Sequence, residues 1–563
     1  MPQARHLAGD VLGLSPLARH VFAERPWPRV LGGAGGVPVP ARLAEFEVPE
    51  PRFDPALLER GELVERLRAH VDPHHPDPSH LHPAIDASIA KLGDPRGLCV
   101  VATARPAFLG GPLSNLYAAL HAAALAKALE RHLERPVAPV LWIRSDAHDQ
   151  ANARDAWLLN QHLDLTRTGL PSMGSGRRRI GAIELGDSTH RLAALASQLR
   201  HVLPETAHRD PSIALFMPRA GETLGAAQRR AFAALVGGLG VVCVEPAALR
   251  PTLSRALARL VAVGGAGQPS AVRLEPFMDV FDLRSASSSS EAILERVELD
   301  PYHPVAAYRS DEGQQRALHL VDDQFLFAGE EGRRSASELA AEIVAAPERF
   351  TPGPLLEPLA RDLVLPVVAT VASEWDDLRA ACLAVEWRRA VDAPRPALVP
   401  RQRVTLVSAL ARESLTKRGV ALEDVLRARG RFAQEAEASA DRPAVLERLR
   451  EMARRQAEEL KALRPELAEV EKGLAHRLRR AADDNRAAID AITARAERVA
   501  ANRTGKTRRH ERRLENTLFP KERPQEEVLT TLQYTSAFGT GWIDDLAEAV
   551  DPLASEHLVL ELQ

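Results

Sequence analysis

GLCVVATARPAFLGGPLSNLYAALHAAALAKALERHLERPVAPVLWIRSDAHDQ, residues 97–150, decides the fold. The run 97–104 is apolar, short and bounded by Gly97 and Arg105-Pro106. It reads as a strand buried on both faces. Leu113 to Leu133 carries Leu and Ala at helical spacing and reads as a helix. APVLWIRS (138–145) is a second buried strand. Strand, glycine turn, helix and strand together make a βαβ unit, which argues for a mainly parallel sheet with right-handed crossovers.

Further strands are expected outward from this unit. They are IGAIEL (180–185), SIALFMP (212–218), GLGVVCVEP (238–246) and LVLPVVATVA (363–372). The run SASSSSEA (285–292) reads as a flexible loop or a helix entry at an internal boundary. The chain has 563 residues, too many for one simple unit. Its 45% apolar content supplies a sizeable core, and its formal net charge of −3 gives no electrostatic reason for a nucleic acid or anionic membrane partner. No stretch reads as a signal peptide or a membrane span. The three cysteines, Cys99, Cys243 and Cys382, lack CxxC spacing and suit a reducing cytosol, so a cytoplasmic protein is expected.

From about residue 420 aromatic residues almost vanish. Leu446, Leu449, Ala453, Leu460, Leu463, Leu467, Val470 and Leu474 repeat at alternating three and four, with Gln456 in the one polar slot. That is a heptad seam. It continues through Leu478, Ala481, Ile492, Ala496 and Val499. Pro465 reads as a turn or kink, and ASADRP (438–443) is the alternative tip of an antiparallel hairpin. The expected organisation is an N-terminal extension over 1–90, an α/β core over 91–419, an antiparallel coiled coil over 420–515, and a segment over 516–563 that docks back on the core.

Two segments carry candidate chemistry. Gly110-Gly111-Pro112 precedes a helix whose free N–H groups and positive dipole end suit a carboxylate or phosphate. Asp146, His148 and Asp149 follow directly after a strand, where open α/β sheets bind ligands. A His between two carboxylates is oriented and made more basic, as a general base requires. The same loop also reads as a plain helix entry with an acidic cap. The histidines between His70 and His82 fit no metal-ligand spacing, and no metal is expected. The basic run 503–513 reads as a solvated helix face without interleaved aromatics. No GxxxxGK[ST] loop is present, so no nucleotide site is recognised.

In this order and context the two segments resemble the bacillithiol biosynthesis cysteine-adding enzymes. Thr103, Gly111, Pro112, Leu113, Tyr117, Ala126 and Lys127 match the family's first block. Trp142, Ile143, His148 and Asp149 match its second, with Asp146 in place of a Glu. Weaker matches run through 347–371, 397–407 and 512–529. The departures are Arg105-Pro106 for a Gln pair, Ala147 for an acid, and Glu357 and Ala360 for Arg and Gln. The resemblance implies a Rossmann-like core, a coiled-coil arm that makes a homodimer, and joining of cysteine to the amino group of glucosaminyl-malate. It places His148 as base, with Asp149 orienting it and Asp146 a third catalytic residue of the same loop. It also places Thr103, Gly111, Asn115 and Tyr117 against substrate. Activating a carboxylate makes a nucleotide co-substrate chemically reasonable. The competing reading is a non-catalytic paralogue, a ligand-binding or scaffold coiled-coil dimer that kept the fold.

Overall fold

Five strands with continuous apolar sequence form one parallel sheet: β1 (Leu98–Ala104), β2 (Val137–Ile143), β3 (Val242–Val244), β4 (Val367–Ala372) and β5 (Ala397–Pro400). Every residue of β1 to β4 is buried, which is why these strands read as unbroken apolar runs rather than as alternation. The order across the sheet is β5-β4-β1-β2-β3, and every neighbouring pair is parallel. Register sets Thr103 beside Trp142 and Val101 beside Thr370.

This computed structural model describes residues 4–8, 11–12, 40–46, 57–71, 82–147, 150–170, 178–185, 189–263, 306–310, 313–321, 324–328, 332–354, 356–372, 388, 391–433, 444–470, 472–503 and 505–562. The chain divides into two compact units, residues 1–409 with 524–563, and residues 410–523.

In the first unit both faces of the sheet are covered. One face packs Cys99, Val101, Val140, Trp142 and Val244 against helices Arg60–Val71 and Pro83–Gly93. Helices α2 (Arg250–Val263) and α3 (Glu357–Val364) share that core. The other face packs Val100, Ala102, Leu141 and Val371 against α1 (Leu113–Leu133) and residues 528–562. Trp142 is fully buried, so truncating it to Ala would cost about 3–5 kcal/mol.

Between β1 and α1 the chain turns through three successive left-handed residues, Leu109 (φ 55°), Gly110 (φ 79°) and Gly111 (φ 73°). A Cβ on Gly110 would lie 2.8 Å from the Phe216 ring, and one on Gly111 would lie 2.6 Å from Asn115 Nδ2. Both positions therefore need glycine for conformation and for space.

Two of the expected strands are absent. SIALFMP lies in helix Arg209–Phe216, where Ile213 and Phe216 bury one helical stripe. IGAIEL begins with a 3-10 turn, Ile180–Ala182, and its only ladder contact is a single bridge from Glu184 to Thr223. A five-stranded antiparallel sheet was not expected. It runs in the order Arg333–Arg334, Gln324–Phe327, Gln315–Val321, Ala306–Arg309 and Phe350–Pro352. Its inner face, with Tyr308, Phe325 and Phe350, packs into the same core as α2. The SASSSSEA run and Cys382 lie outside the described residues. Cys99 and Cys243 are buried free thiols, and burial pushes the Cys243 thiol up to about 12.

The end of the chain belongs to the first unit. His557–Glu561 lies between Ala4–Leu7, antiparallel, and Val404–Val407, parallel. Glu526 is fully buried and accepts both Nη groups of Arg401, at 2.7 and 3.0 Å, and the Val404 N–H at 3.0 Å. Gln525 spans the Leu406 backbone as a neighbouring strand would, accepting its N–H at 2.8 Å and donating to its carbonyl at 2.9 Å. His121 accepts the Gln402 N–H on Nδ1, so its Nε2–H faces the Pro552 carbonyl at 3.0 Å and the ring is neutral. Burial, and then the nearby Arg401 charge, push that imidazole down to about 3.

The second unit contains helices α4 (Ala444–Val470), α5 (Lys472–Arg503) and α6 (Gly505–Leu518). Helices α4 and α5 pack on each other. A single residue, outside the described ones, separates them. Pro465 lies inside α4 instead of at the break, and 438–443 lies outside the described residues. The basic run begins at the end of α5 and continues into α6. Among the described residues, no helix is long and apolar enough to cross a membrane.

Candidate functional site

A parallel sheet in this order has one place where successive strands leave in opposite directions, between β1 and β4. The loops at the carboxyl ends of strands part there and open a crevice. The sequence placed the cleft at the ends of β1 and β2, which is one strand along the same edge.

At this edge Trp142 and Arg144 converge on Glu357. The Trp142 indole N–H donates to one carboxylate oxygen of Glu357, and Arg144 Nε donates to the other at 2.7 Å. Glu357 opens α3, where its charge also suits the helix dipole. The Glu at this position, a departure from the family pattern, is therefore matched by a cation. Thr103 lies two residues beyond Val101 in β1 and so faces the same side as Trp142.

Asn115 and Gly111 build the turn. Asn115 Nδ2 donates to the carbonyls of Arg105 at 3.0 Å and Gly110 at 3.1 Å, while its Oδ1 accepts the Arg105 N–H at 3.3 Å. Asn115 thus spends its side chain on holding the loop. The first N–H of α1 is also engaged: Leu113 donates to the Leu529 carbonyl at 2.9 Å, beside a bridge between Pro112 and Thr530. Tyr117 is fully buried in the core on the α1 face, with the Arg401 guanidinium 5.9 Å from its ring centroid. It is thus part of the packing on the face opposite Trp142.

Asp146 follows β2 in a partly open turn and is held by arginines. Arg250, from α2, donates from Nη2 to both carboxylate oxygens, the second at 2.6 Å, and Arg179 Nη1 lies 3.8 Å away. The turn is tied from behind as well. The Gly181 N–H donates to the Ser145 carbonyl at 2.8 Å, and the Ile180 N–H donates to that of Ala147 at 2.9 Å. His148 and Asp149 lie outside the described residues.

Next to this turn, Glu245 directly follows β3 and pairs with Arg229. His70 Nε2 accepts from Arg229 at 2.9 Å and from the Glu245 N–H at 3.1 Å, so its ring is neutral. Burial, and then Arg229, hold the His70 imidazole well below its ordinary value. Burial raises the Glu245 carboxyl, against the pull of Arg229. His70 thus belongs to the end of helix Arg60–Val71.

The sequence reading brought out Asp146 but missed Arg179, Arg229, Glu245 and Arg250. The one available signal was Glu245, an acid directly after an apolar strand. The arginines sit in helical or turn sequence with no local mark.

Strand order and two covered faces make the first unit a Rossmann-like, doubly wound α/β protein. A model of the N-terminal Rossmann-like domain of the bacillithiol biosynthesis protein BshC matches residues 53–374, and a model of its C-terminal coiled-coil domain matches residues 404–562. The chain belongs to the BshC family of bacillithiol biosynthesis. It is 24% identical over 469 residues to a Koribacter versatilis protein, covering 82% of this chain and 84% of that one. A Salinibacter ruber protein is 24% identical, covering 89% and 86%, and a Bacillus velezensis protein is 21% identical, covering 89% and 90%. Each of the three carries the name "Putative cysteine ligase BshC".

Proposed function

We propose that this chain is a cysteine ligase of bacillithiol biosynthesis, forming an amide between the carboxyl of cysteine and the amine of glucosaminyl-malate. The observation that carries the reading is the match of both domain models, in order, over most of the chain. The arrangement of Thr103, the 109–111 turn and Asp146 along one sheet edge supports a site there. In the proposed reaction His148 takes the proton from the attacking amine, and Asp149 orients the ring. Amide formation also needs a leaving group on the cysteine carboxyl, supplied by an activating co-substrate. We assign no residues to that co-substrate.

The enzyme is proposed to be cytoplasmic, where cysteine is kept as the free thiol, and to work as a homodimer through the coiled coil. In the second unit Val470 is 76% exposed, Ile492 57% and Leu463 46%, an apolar set that a second copy would cover. The test of function is mass detection of bacillithiol from cysteine and glucosaminyl-malate, with candidate nucleotides added one at a time. It is paired with complementation of a strain lacking its native enzyme. Product in both is expected. Product in neither favours the paralogue that kept the fold without the chemistry. Light scattering at micromolar concentration checks the dimer, and a monomeric mass would remove it.

A further inference from the structure

Asp146 is flanked by two arginines, and together they do not balance. Arg250 is almost wholly buried and gives only Nη2 to Asp146. Its Nη1 has no partner among the described residues, and neither has Arg179 Nε, although both atoms are shielded from solvent. Arg179 contributes one more bond, from Nη2 to the Glu348 carbonyl at 3.0 Å. The next carboxylate along the edge, Glu245, is already matched by Arg229. Among the described residues, the two guanidinium groups therefore share one carboxylate within ion-pair distance. Burial, then repulsion from Arg250, lowers the Arg179 guanidinium below its ordinary value. Asp146 opposes this, Arg309 adds to the repulsion, and the more distant Glu348 carboxylate offsets it in part. A further anion at this point would relieve that repulsion and take up the unused donors.

The cluster is not sealed. The Asp146 side chain keeps 16% of its exposure and that of Arg179 keeps 10%, at the carboxyl end of β2 where ligands enter such sheets. The planar fork of arginine matches a carboxylate in two-point geometry.

We propose that Arg179 and Arg250 form a carboxylate-binding subsite that takes the dicarboxylate end of the acceptor substrate, with Asp146 bridging the two guanidinium groups until it arrives. The identity of the acceptor rests on the proposed function; the subsite itself rests on the geometry.

The test is isothermal titration of the full chain with L-malate, with glucosamine as the control lacking a carboxylate. Wild type is expected to bind malate and not glucosamine. Arg179→Met is expected to weaken malate binding by about tenfold or more, the worth of a charged hydrogen bond. Asp146→Asn removes the competing anion and is expected to tighten binding several-fold. If Arg179→Met unfolds at lower temperature, Arg179→Lys serves instead, since it keeps the charge, loses the fork and is still expected to weaken binding. No malate binding by wild type, or equal binding by wild type and the Arg179 variants, overturns the subsite. Failure of the wider reading looks different: Arg179-dependent malate binding without bacillithiol formation leaves the subsite standing and removes the ligase. Bacillithiol formation with KM for the acceptor unchanged in Arg179→Met removes the subsite and leaves the ligase.

Discussion

Two charged networks in the first unit are built from the same residue types and do different things. At the end of β5, Arg401 and Arg403 face Glu526 and Glu527, two cations to two anions, and Arg401 and Glu526 are almost completely buried. After β2, Arg179 and Arg250 have one carboxylate within ion-pair distance among the described residues, Asp146, in a place that solvent still reaches. An unpartnered nitrogen does not separate them, because Arg401 Nε also lacks a partner among the described residues. Charge balance does, and so does access to the central carboxylate, since the Glu526 side chain is fully buried while that of Asp146 keeps 16% of its exposure. The balanced network, sealed at its Arg401–Glu526 pair, fastens the end of the chain to the sheet. The unbalanced one, open at Asp146, has capacity left for a ligand.

The comparison breaks most visibly at the fastener. Removing Glu526 as Glu526→Ala strands the buried Arg401 without its ion-pair partner, and such losses cost about 3–5 kcal/mol. Chemical denaturation should show a loss of that size. A loss below 1 kcal/mol would mean the network is ornamental. At the open network the same kind of change should act on binding instead. Arg179→Met is expected to leave the unfolding midpoint within about 1 kcal/mol of wild type while malate binding falls about tenfold. A large stability loss with unchanged binding would reverse the roles of the two networks.

A smaller effect lies in pH. Burial pushes His121 and His557 each down to about 3, below the ordinary value of 6.5 that the unfolded chain retains. Between pH 6.5 and 3 the unfolded state therefore binds more protons, so stability falls as the solution is acidified across that window. Each histidine contributes up to about 1.4 kcal/mol per pH unit there. His121→Asn should flatten the acid limb of a stability–pH curve, and an unchanged slope would count against a neutral buried ring. The smallest expected effect is in the second unit. Glu515 is raised by burial to about 7, with the Phe432 and Ala433 N–H groups opposing. Between the ordinary glutamate range and pH 7 the folded state holds the extra proton, so this unit loses stability as pH rises through that window. Glu515→Gln should remove that alkaline loss, read as a thermal midpoint that no longer drops between pH 5 and 8.

Much of the sheet was legible because strands buried on both faces leave continuous apolar runs. β1, β2, β3 and β4 all sit within runs visible in the sequence. The order β5-β4-β1-β2-β3 was not legible, since it depends on pairing β1 with a strand that follows it by more than two hundred residues. SIALFMP misled because a short apolar run does not state its period, and Ile213 and Phe216 fit a helix as well as a strand. The antiparallel sheet carried its own signals, alternating AAYR, RALHL and QFLF around polar turns, which the parallel pattern overshadowed. At the site, Asp146 announced itself by following a strand. Its partner Arg250 lies 104 residues away, inside an amphipathic helix where arginine is ordinary. Tyr117 matched the family pattern and Asn115 was expected against substrate, yet one is packed into the core and the other is spent on the turn.

The central claim, a cysteine ligase working at the carboxyl edge of this sheet, is tested most directly by bacillithiol formation in wild type and His148→Ala. Product is followed by mass, and folding by thermal unfolding of both proteins. The account predicts product from wild type and a loss of about a hundredfold or more in the variant at an unchanged unfolding temperature, the size typical of a general base. Absence of product from wild type would contradict the ligase, and full activity in His148→Ala would contradict the site.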